Sequence, residues 1–180
     1  MLKTVELKSK DQIELEIHQA FDEVINFIRQ QDNSLFDRPK AEGKWSTGQQ
    51  LDHLIKSVKP LSTGMGLPKI LLKLRFGVRN RPERTYEELV AKYQQKLKEG
   101  GQASAAFIPP KISIEQKDQL LSAYEKEKIK LVKVLQKWSE KQLSTNVAPH
   151  PLLGKCTVRE LLYFTIHHNY HHLENIKEID

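Results

Sequence analysis

The stretch that decides the fold runs from Thr157 to Lys177, TVRELLYFTIHHNYHHLENIK. Thr157 and Glu160 match the capping-box pattern, in which two side chains satisfy backbone N–H groups that have no partner inside a helix. One face of the following helix is defined by residues at helical spacing, namely Val158, Leu162, Thr165, Leu173 and Ile176. The segment therefore predicts a long amphipathic helix with one face in a core.

The same capping pattern predicts four other helices. The pairs are Ser9 with Gln12, Ser46 with Gln49, Thr85 with Glu88, and Ser113 with Gln116. The predicted helices run from Ser9 to Gln31, from Ser46 onward, from Thr85 to Glu99, and from Ser113 to Trp138. Ser122 with Glu125 also matches, but the pair lies inside the last of these helices, so we do not expect it to start one. No run of alternating apolar residues predicts a strand.

The long helices share apolar faces that none of them can bury alone. Expected core residues include Ile13, Ile17, Phe21, Val24, Ile28, Leu51, Leu54, Ile55, Val58, Leu120, Tyr124, Leu131, Leu135 and Trp138. A four-helix bundle buries such faces most economically. The linker between the second and third long helices is much longer than a tight turn. We therefore predict an all-α fold, a four-helix bundle with a long crossover connection that carries an extra short helix.

Composition is that of an ordinary globular protein. Hydrophobic residues make up 38% and charged residues 29% of the 180 residues, which disfavours a disordered chain and predicts one domain over residues 1–180. No segment approaches the roughly 18 apolar residues of a membrane span. The N-terminal MLKTVELKSK lacks the pattern of an export signal, and the single Cys156 excludes an internal disulfide and a multi-thiolate zinc site. We expect a cytoplasmic protein.

Positive charge is concentrated in one segment. The net charge is +6, and residues 69–84, KILLKLRFGVRNRPER, contain six Lys or Arg against one Glu. The segment is either a basic surface connection or a functional lip, with Lys69, Lys73, Arg75 and Arg79 as candidates to hold an acidic ligand. Nucleic-acid binding is not expected, because the sequence has no recognition-helix motif and these charges alternate with apolar residues.

Four of the seven histidines lie between Thr165 and Ile176, in two pairs with i, i+4 spacing. Such a pair can direct two imidazoles at one ion. On a wheel of about 100° per residue, His172 and His168 lie roughly 40° and 80° from the centre of the apolar face, whereas His171 and His167 lie roughly 140° and 180° away. The inner pair is the candidate metal site, and the outer pair is expected to face solvent.

A zinc-like ion with an open position needs a third protein ligand. His53, on the second predicted helix, could join the inner pair across the bundle. The wheel places it far from that helix's core face, so the spacing leaves open whether it is a ligand or a surface residue. HExxH and Glu-x-x-His motifs are both absent from the sequence, which disfavours a zinc protease and a di-iron bundle.

Three patches resemble the DinB/YfiT-like family of bacterial four-helix bundles, which bind a metal ion through three histidines. They are KWSTGQQLDHLIKS, HPLLGKCTVRELLYF and HNYHHLENI. The resemblance implies that His53, His168 and His172 are the metal ligands. The stretch from Leu61 to Pro110 departs from the family's pattern, which leaves the substrate pocket undefined.

The resemblance also implies a chemistry. Family members with assigned activities are S-transferases or isomerases that use low-molecular-weight thiols such as bacillithiol or mycothiol. We therefore expect a metal-dependent enzyme, holding zinc, nickel or iron(II), that transfers a thiol to an electrophilic small molecule. Metal-dependent hydrolysis is one alternative. The other is a non-catalytic binding or stress-response module, in which LPKILLKLRF contacts a partner or a membrane surface.

The sequence does not determine several details of the site. A fourth protein ligand, from His150 or Glu174, would indicate a structural ion instead of a catalytic one. We favour a turn-capping role for His150. No general acid or base is assigned; Asn169, Tyr170 and His171 neighbour the expected ligands, and Asp52 adjoins His53. A homodimer is compatible with the sequence.

Overall fold

Helices dominate the computed structural model of the chain, which describes residues 6–179. Residues 1–5 and 180 lie outside the described residues, and with them the first half of the N-terminal segment analysed for an export signal and both ends of the predicted domain. No helix within residues 6–179 is long and apolar enough to cross a membrane.

Seven α-helices and one small hairpin form the described part of the chain. The helices are α1 (Lys10–Gln30), α2 (Thr47–Gly66), α3 (Lys69–Phe76), α4 (Tyr86–Lys98), α5 (Lys117–Leu135), α6 (Glu140–Thr145) and α7 (Val158–Lys177). The strands are β1 (Val147–His150) and β2 (Gly154–Thr157), and short 3₁₀ turns cover Asn33–Leu35, Ala105–Phe107 and Ile114–Gln116.

Capping boxes start the long helices where the sequence predicts them. Both reciprocal hydrogen bonds form at Ser9, Ser46, Thr85 and Thr157. The box at Ser113 caps the 3₁₀ turn that leads into α5. A further box, Ser139 with Gln142, starts the short helix α6, which the sequence analysis missed.

The four long helices form the predicted bundle. Helix α1 packs against α5 and α7, and α2 packs against the same two helices, so α1 and α2 occupy diagonal positions. The end of α2 contacts the end of α5, where Nε1 of Trp138 donates to the carbonyl oxygen of Met65 at 3.0 Å. The start of α2 contacts the residues before α5, because Gly48 abuts Ile112. Helices α2 and α5 are therefore parallel, and the long connection between them is a crossover, as predicted.

The connection and the hairpin differ from the prediction in two details. The connection carries two helices, α3 and α4, instead of one. The expectation of no strand is wrong, because β1 and β2 pair in antiparallel register from Val147 opposite Thr157 to His150 opposite Gly154. Strands of four residues are too short to show alternation. Gly154 has a φ of +72°, which favours glycine at the turn.

A buried carboxylate fixes the crossover connection to α7. Glu160 is fully buried, and its oxygens accept hydrogen bonds from Arg81 at 2.6 Å and from Nε of Arg84 at 3.0 Å. Arg79 donates to the backbone carbonyls of Ser144 and Arg81. Part of the basic segment is thus an internal anchor. These contacts hold the connection in place, with α4 packed on α7 and α3 in contact with β1.

Candidate metal centre

Three histidines from two antiparallel helices meet near one end of the bundle. The first half of α2 supplies His53, and the second half of α7 supplies His168 and His172. All three residues are buried, each with 5% of its surface exposed. Nε2 of His168 lies 3.2 Å from Nε2 of His53 and 3.0 Å from Nε2 of His172. Within residues 6–179 this is the one group of three or more His, Cys, Asp or Glu with all donor atoms within 4.8 Å.

Carbonyl oxygens hold two of these rings from behind. Nδ1 of His53 donates to the backbone carbonyl of Phe107 at 2.8 Å. Nδ1 of His172 donates to Oε1 of Gln50, one turn before His53 on α2. Because an acceptor faces each Nδ1, the proton stays on that nitrogen and the Nε2 lone pair points to the meeting point. Hydrogen bonds of this kind orient histidine ligands in metal sites.

The three imidazoles fit a cation. When Nδ1 carries the proton in His53 and His172, both of their Nε2 atoms are acceptors, and His168 has one Nε2 proton at most to give. At least one of the three Nε2 lone pairs then has no N–H group from which to accept a hydrogen bond. The observed Nε2 separations are close to the roughly 3.3 Å between two nitrogens that bind a tetrahedral ion at about 2.0–2.1 Å. A neutral three-imidazole set suits zinc, nickel or iron(II).

Burial keeps the imidazoles uncharged. It lowers the pKa of His53, although the hydrogen bond to Phe107 opposes that effect. Burial lowers the pKa of His168 and His172 well below the ordinary value, and the neighbouring imidazoles lower it further. Neutral imidazole is the form that binds a metal ion.

A cavity of about 590 Å³ opens directly over the three histidines. Its walls come from the second half of α2, from α3 and α4, from residues 101–107, from the hairpin turn and from α7. Among the described residues that line it there is no Asp, Glu, Lys or Arg. Large apolar side chains such as Leu72, Tyr93 and Phe164 dominate the lining instead. The cavity therefore suits an uncharged, apolar small molecule.

Two further side chains frame the meeting point. The ring of Trp45 lies 4.9 Å from that of His53 and stacks at 6.3 Å on that of His172, measured between ring centroids. Ser57 places Oγ 3.4 Å from Nε2 of His53 and donates to the backbone carbonyl of the same histidine. Trp45 screens the imidazoles from solvent, and Ser57 adds a hydroxyl beside them.

Most of the other candidates from the sequence point elsewhere. Glu174 is exposed and pairs with Lys177, so it is no fourth ligand. Asn169 faces the hydroxyl of Tyr124 inside the core. Asp52 pairs with Lys56 at 2.8 Å. None of these acidic or amide groups lines the cavity.

His150 has the turn-capping role expected of it. Its Nδ1 accepts the backbone N–H groups of Leu152 and Leu153, each at 3.2 Å. Burial, with a smaller contribution from the charge of Arg84, lowers the pKa of His150 to about 4. The ring packs on Phe164 and lines the cavity, but it does not join the three-histidine group.

The outer histidine pair, His167 and His171, is partly buried, which corrects the expectation that it faces solvent. Tyr93 of α4 packs on His167 and His171, at 5.8 Å and 6.2 Å between ring centroids. His171 also lines the cavity. The sequence analysis missed this contact because the wheel considers only the bundle helices. Tyr93 and Phe107 also contact the site histidines, but they belong to the connection, where no sequence motif marks them. Gln50 and Ser57 lie one helical turn on either side of His53, and this spacing is a signal by which they could have been found.

The sequence and the fold of this chain are similar to those of known proteins. The family model of the DinB superfamily matches residues 16–176. Among solved structures, the chain is similar to YfiT from Bacillus subtilis, described as a probable metal-dependent hydrolase with an unusual four-helix bundle topology. The TM-score is 0.59 and the identity 21%, over 98% of this chain and 90% of that one, which establishes the shared bundle fold. A comparison with curated proteins found no match.

Proposed function

This chain belongs to the DinB superfamily, and on that premise we propose that it is a divalent-metal-dependent enzyme that transfers a low-molecular-weight thiol to an electrophilic small molecule. His53, His168 and His172 would hold the ion. The observation that carries the proposal is the convergence of three neutral imidazoles at the floor of an apolar cavity. An ion held by three protein ligands keeps a position open for chemistry.

The bound ion would supply a positive charge that lowers the pKa of a thiol or a water molecule beside it. The chain's own residues position the imidazoles and exclude water from the site. Phe107 and Gln50 fix two imidazoles with Nε2 inward, and Trp45 covers them. The apolar walls hold the electrophile against the same point, and a dry site strengthens the electrostatic interactions inside it.

The lining favours a thiol over water as the nucleophile. Attack by water on an amide or ester commonly needs a general base, most often His, Asp or Glu. The cavity lining has no Asp or Glu and offers only His150 and His171 beyond the three-histidine group. An ionised thiol needs no base, because the thiolate is itself the nucleophile. In the proposed reaction the thiol first ionises and its proton passes to solvent. The sulfur then forms a bond to carbon, the bond from that carbon to its leaving group breaks, and the leaving group departs with the electron pair.

The basic segment does not supply counter-charges inside the cavity. Lys69, Lys73, Arg75 and Arg79 are all absent from the lining, so an acidic thiol would keep its charged groups outside. Metal-dependent hydrolysis is the second candidate. The description of YfiT as a probable metal-dependent hydrolase favours it, since the two proteins share a fold.

A direct test compares two histidines of the same helix. Wild type, His168→Ala and His167→Ala would each be loaded with zinc, nickel or iron(II) and assayed for conjugation of bacillithiol, mycothiol or cysteine to 1-chloro-2,4-dinitrobenzene. We expect thiol-dependent product from wild type and His167→Ala but none above background from His168→Ala. Hydrolysis of p-nitrophenyl esters without thiol, lost in the same variant, would favour the second candidate. Equal rates in all three proteins in both assays would contradict an enzymatic role for the site.

A further inference from the structure

Helix α3 turns apolar side chains to solvent on its outer face. Leu74 is 77% exposed, Ile70 60% and Leu71 49%. Leu67 and Val78, just beyond the two ends of the helix, are also exposed. A single exposed apolar side chain is ordinary, but five of them within twelve residues form a patch.

The inner face of α3 is apolar too. Leu72 is buried, and both it and Phe76 line the cavity. The charged residues are left to the flanks, because Lys73 and Arg75 each lie roughly 100° from Leu74 around the helix. Helices that lie in a membrane interface have this arrangement, with an apolar face turned to the lipid and cations at its edges.

Charge in this region has one sign. Residues 67–82 contain five Lys or Arg and no Asp or Glu. Arg81 pairs with Glu160, and Arg79 donates to backbone carbonyls. Lys69 lies over the ring of the buried Trp138, 4.9 Å from its centroid. Lys73 and Arg75 are exposed and form no ion pair with any residue of the range 6–179, so their charges are available to an external anion.

We propose that α3 is an interfacial anchor, which rests its outer face on an anionic lipid bilayer. The apolar side chains would enter the headgroup region, and the flanking cations would face lipid phosphates. A second copy of the chain fits this face poorly, because a two-fold contact would bring the exposed cations of one copy, Lys73 and Arg75, close to the same cations of the other. A bilayer needs no complementary pocket for the convex face of a single helix.

The position of the anchor has a consequence for the cavity. Thr63 and Leu67 are exposed and also line the cavity, which therefore reaches the surface beside α3. An anchored molecule would present this opening to the lipid, and an apolar substrate dissolved in the bilayer would reach the histidines without crossing water. This consequence rests on the proposed function, whereas the anchoring itself does not.

Vesicle sedimentation tests the anchor. Wild-type protein should bind vesicles of equal parts phosphatidylcholine and phosphatidylglycerol, and bind vesicles of phosphatidylcholine alone far more weakly. The double variant Leu71→Ser, Leu74→Ser should lose binding at least about tenfold, and Lys73→Gln should lose about fivefold at low salt. The matched control is Ile129→Ser on α5, because Ile129 is 58% exposed and lies outside the patch; it should bind like wild type.

Three outcomes would overturn the proposal. The first is no binding to either vesicle. The second is equal binding by the wild type and the double variant when circular dichroism shows both folded. The third is a wild-type dimer in sedimentation velocity that the double variant abolishes, which would make the patch a contact between copies. His53→Ala should bind vesicles like wild type, so that failure of the metal-enzyme proposal and failure of the anchor are distinguishable.

Discussion

Removing the carboxylate of Glu160 should destabilise the whole fold. Burial alone would raise the pKa of Glu160, but hydrogen bonds from Arg81, from Arg84 and from the backbone of Arg84 and Thr157 outweigh it and lower the pKa to about 2. Relative to the ordinary value of 4.5, this pKa corresponds to about 3 kcal/mol of stability. Glu160→Gln should forfeit about that much, because Arg84 keeps only 13% of its side chain exposed and would stay buried without its partner.

The expected change is large enough for calorimetry. For a chain of this length about 3 kcal/mol lowers the midpoint of thermal unfolding by roughly 6–12 °C. The pH dependence of this stabilisation follows from the lowered pKa. The stabilisation is complete above about pH 4.5 and is lost as the pH falls toward 2, so the unfolding free energies of Glu160→Gln and wild type should converge near pH 2.

A control comes from the same helix. Glu174 pairs with Lys177 but is 69% exposed, and Glu174→Gln should cost at most a few tenths of a kcal/mol. Equal effects of the two substitutions at neutral pH would refute the reasoning, because they would show that the buried network adds nothing beyond a surface pair.

Three further predictions concern the surroundings of the site. Because the pKa of His150 is lowered in the folded state, the free energy of unfolding should fall by up to about 1 kcal/mol per pH unit as the pH drops from about 6.5 toward 4. His150→Asn keeps a hydrogen-bond acceptor for the turn and should lack this pH dependence in urea unfolding. The same pH profile in the variant and in wild type would contradict the prediction. Gly48→Ala should cost about 1–3 kcal/mol in urea unfolding, since a Cβ there would lie 2.7 Å from Ile112, whereas Gly64→Ala, with nothing within 4 Å, should be neutral or stabilising; equal costs would contradict the packing. Cys156 is buried, and burial raises the pKa of its thiol to about 11, so it should react with a thiol reagent such as DTNB only after denaturation; fast reaction of native protein would contradict its burial.

Local signals in the sequence predicted the bundle well, for a physical reason. A capping box satisfies backbone groups within four residues, so the boxes at Ser9, Ser46, Thr85 and Thr157 mark helix starts from local sequence alone. The same pattern at Ser122 lies inside α5 and starts no helix. The inner faces of α1 and α7 also follow from spacing alone. The hairpin and α3 could not be predicted in this way, because short elements owe their stability to the neighbours on which they pack.

The histidines of the site also differ in how far local sequence predicts them. His168 and His172 lie near the apolar face of one helix, and their spacing selects them without any knowledge of the fold. His53 lies off the core face of α2, and the wheel alone could not place it. The crossover connection buries it, because the turn ending at Phe107 covers that side of α2, where the carbonyl oxygen of Phe107 accepts a hydrogen bond from Nδ1 of His53. A contact across 54 residues has no signature in local sequence.

Metal content by elemental analysis of untagged protein is the most direct test of the central claim that two helices build one metal centre. Wild type and His167→Ala should contain close to one divalent ion per chain, whereas His53→Ala and His168→Ala should contain almost none under the same conditions. An absence of metal from wild type, even after reconstitution, would contradict the account. So would full retention of metal in both ligand variants.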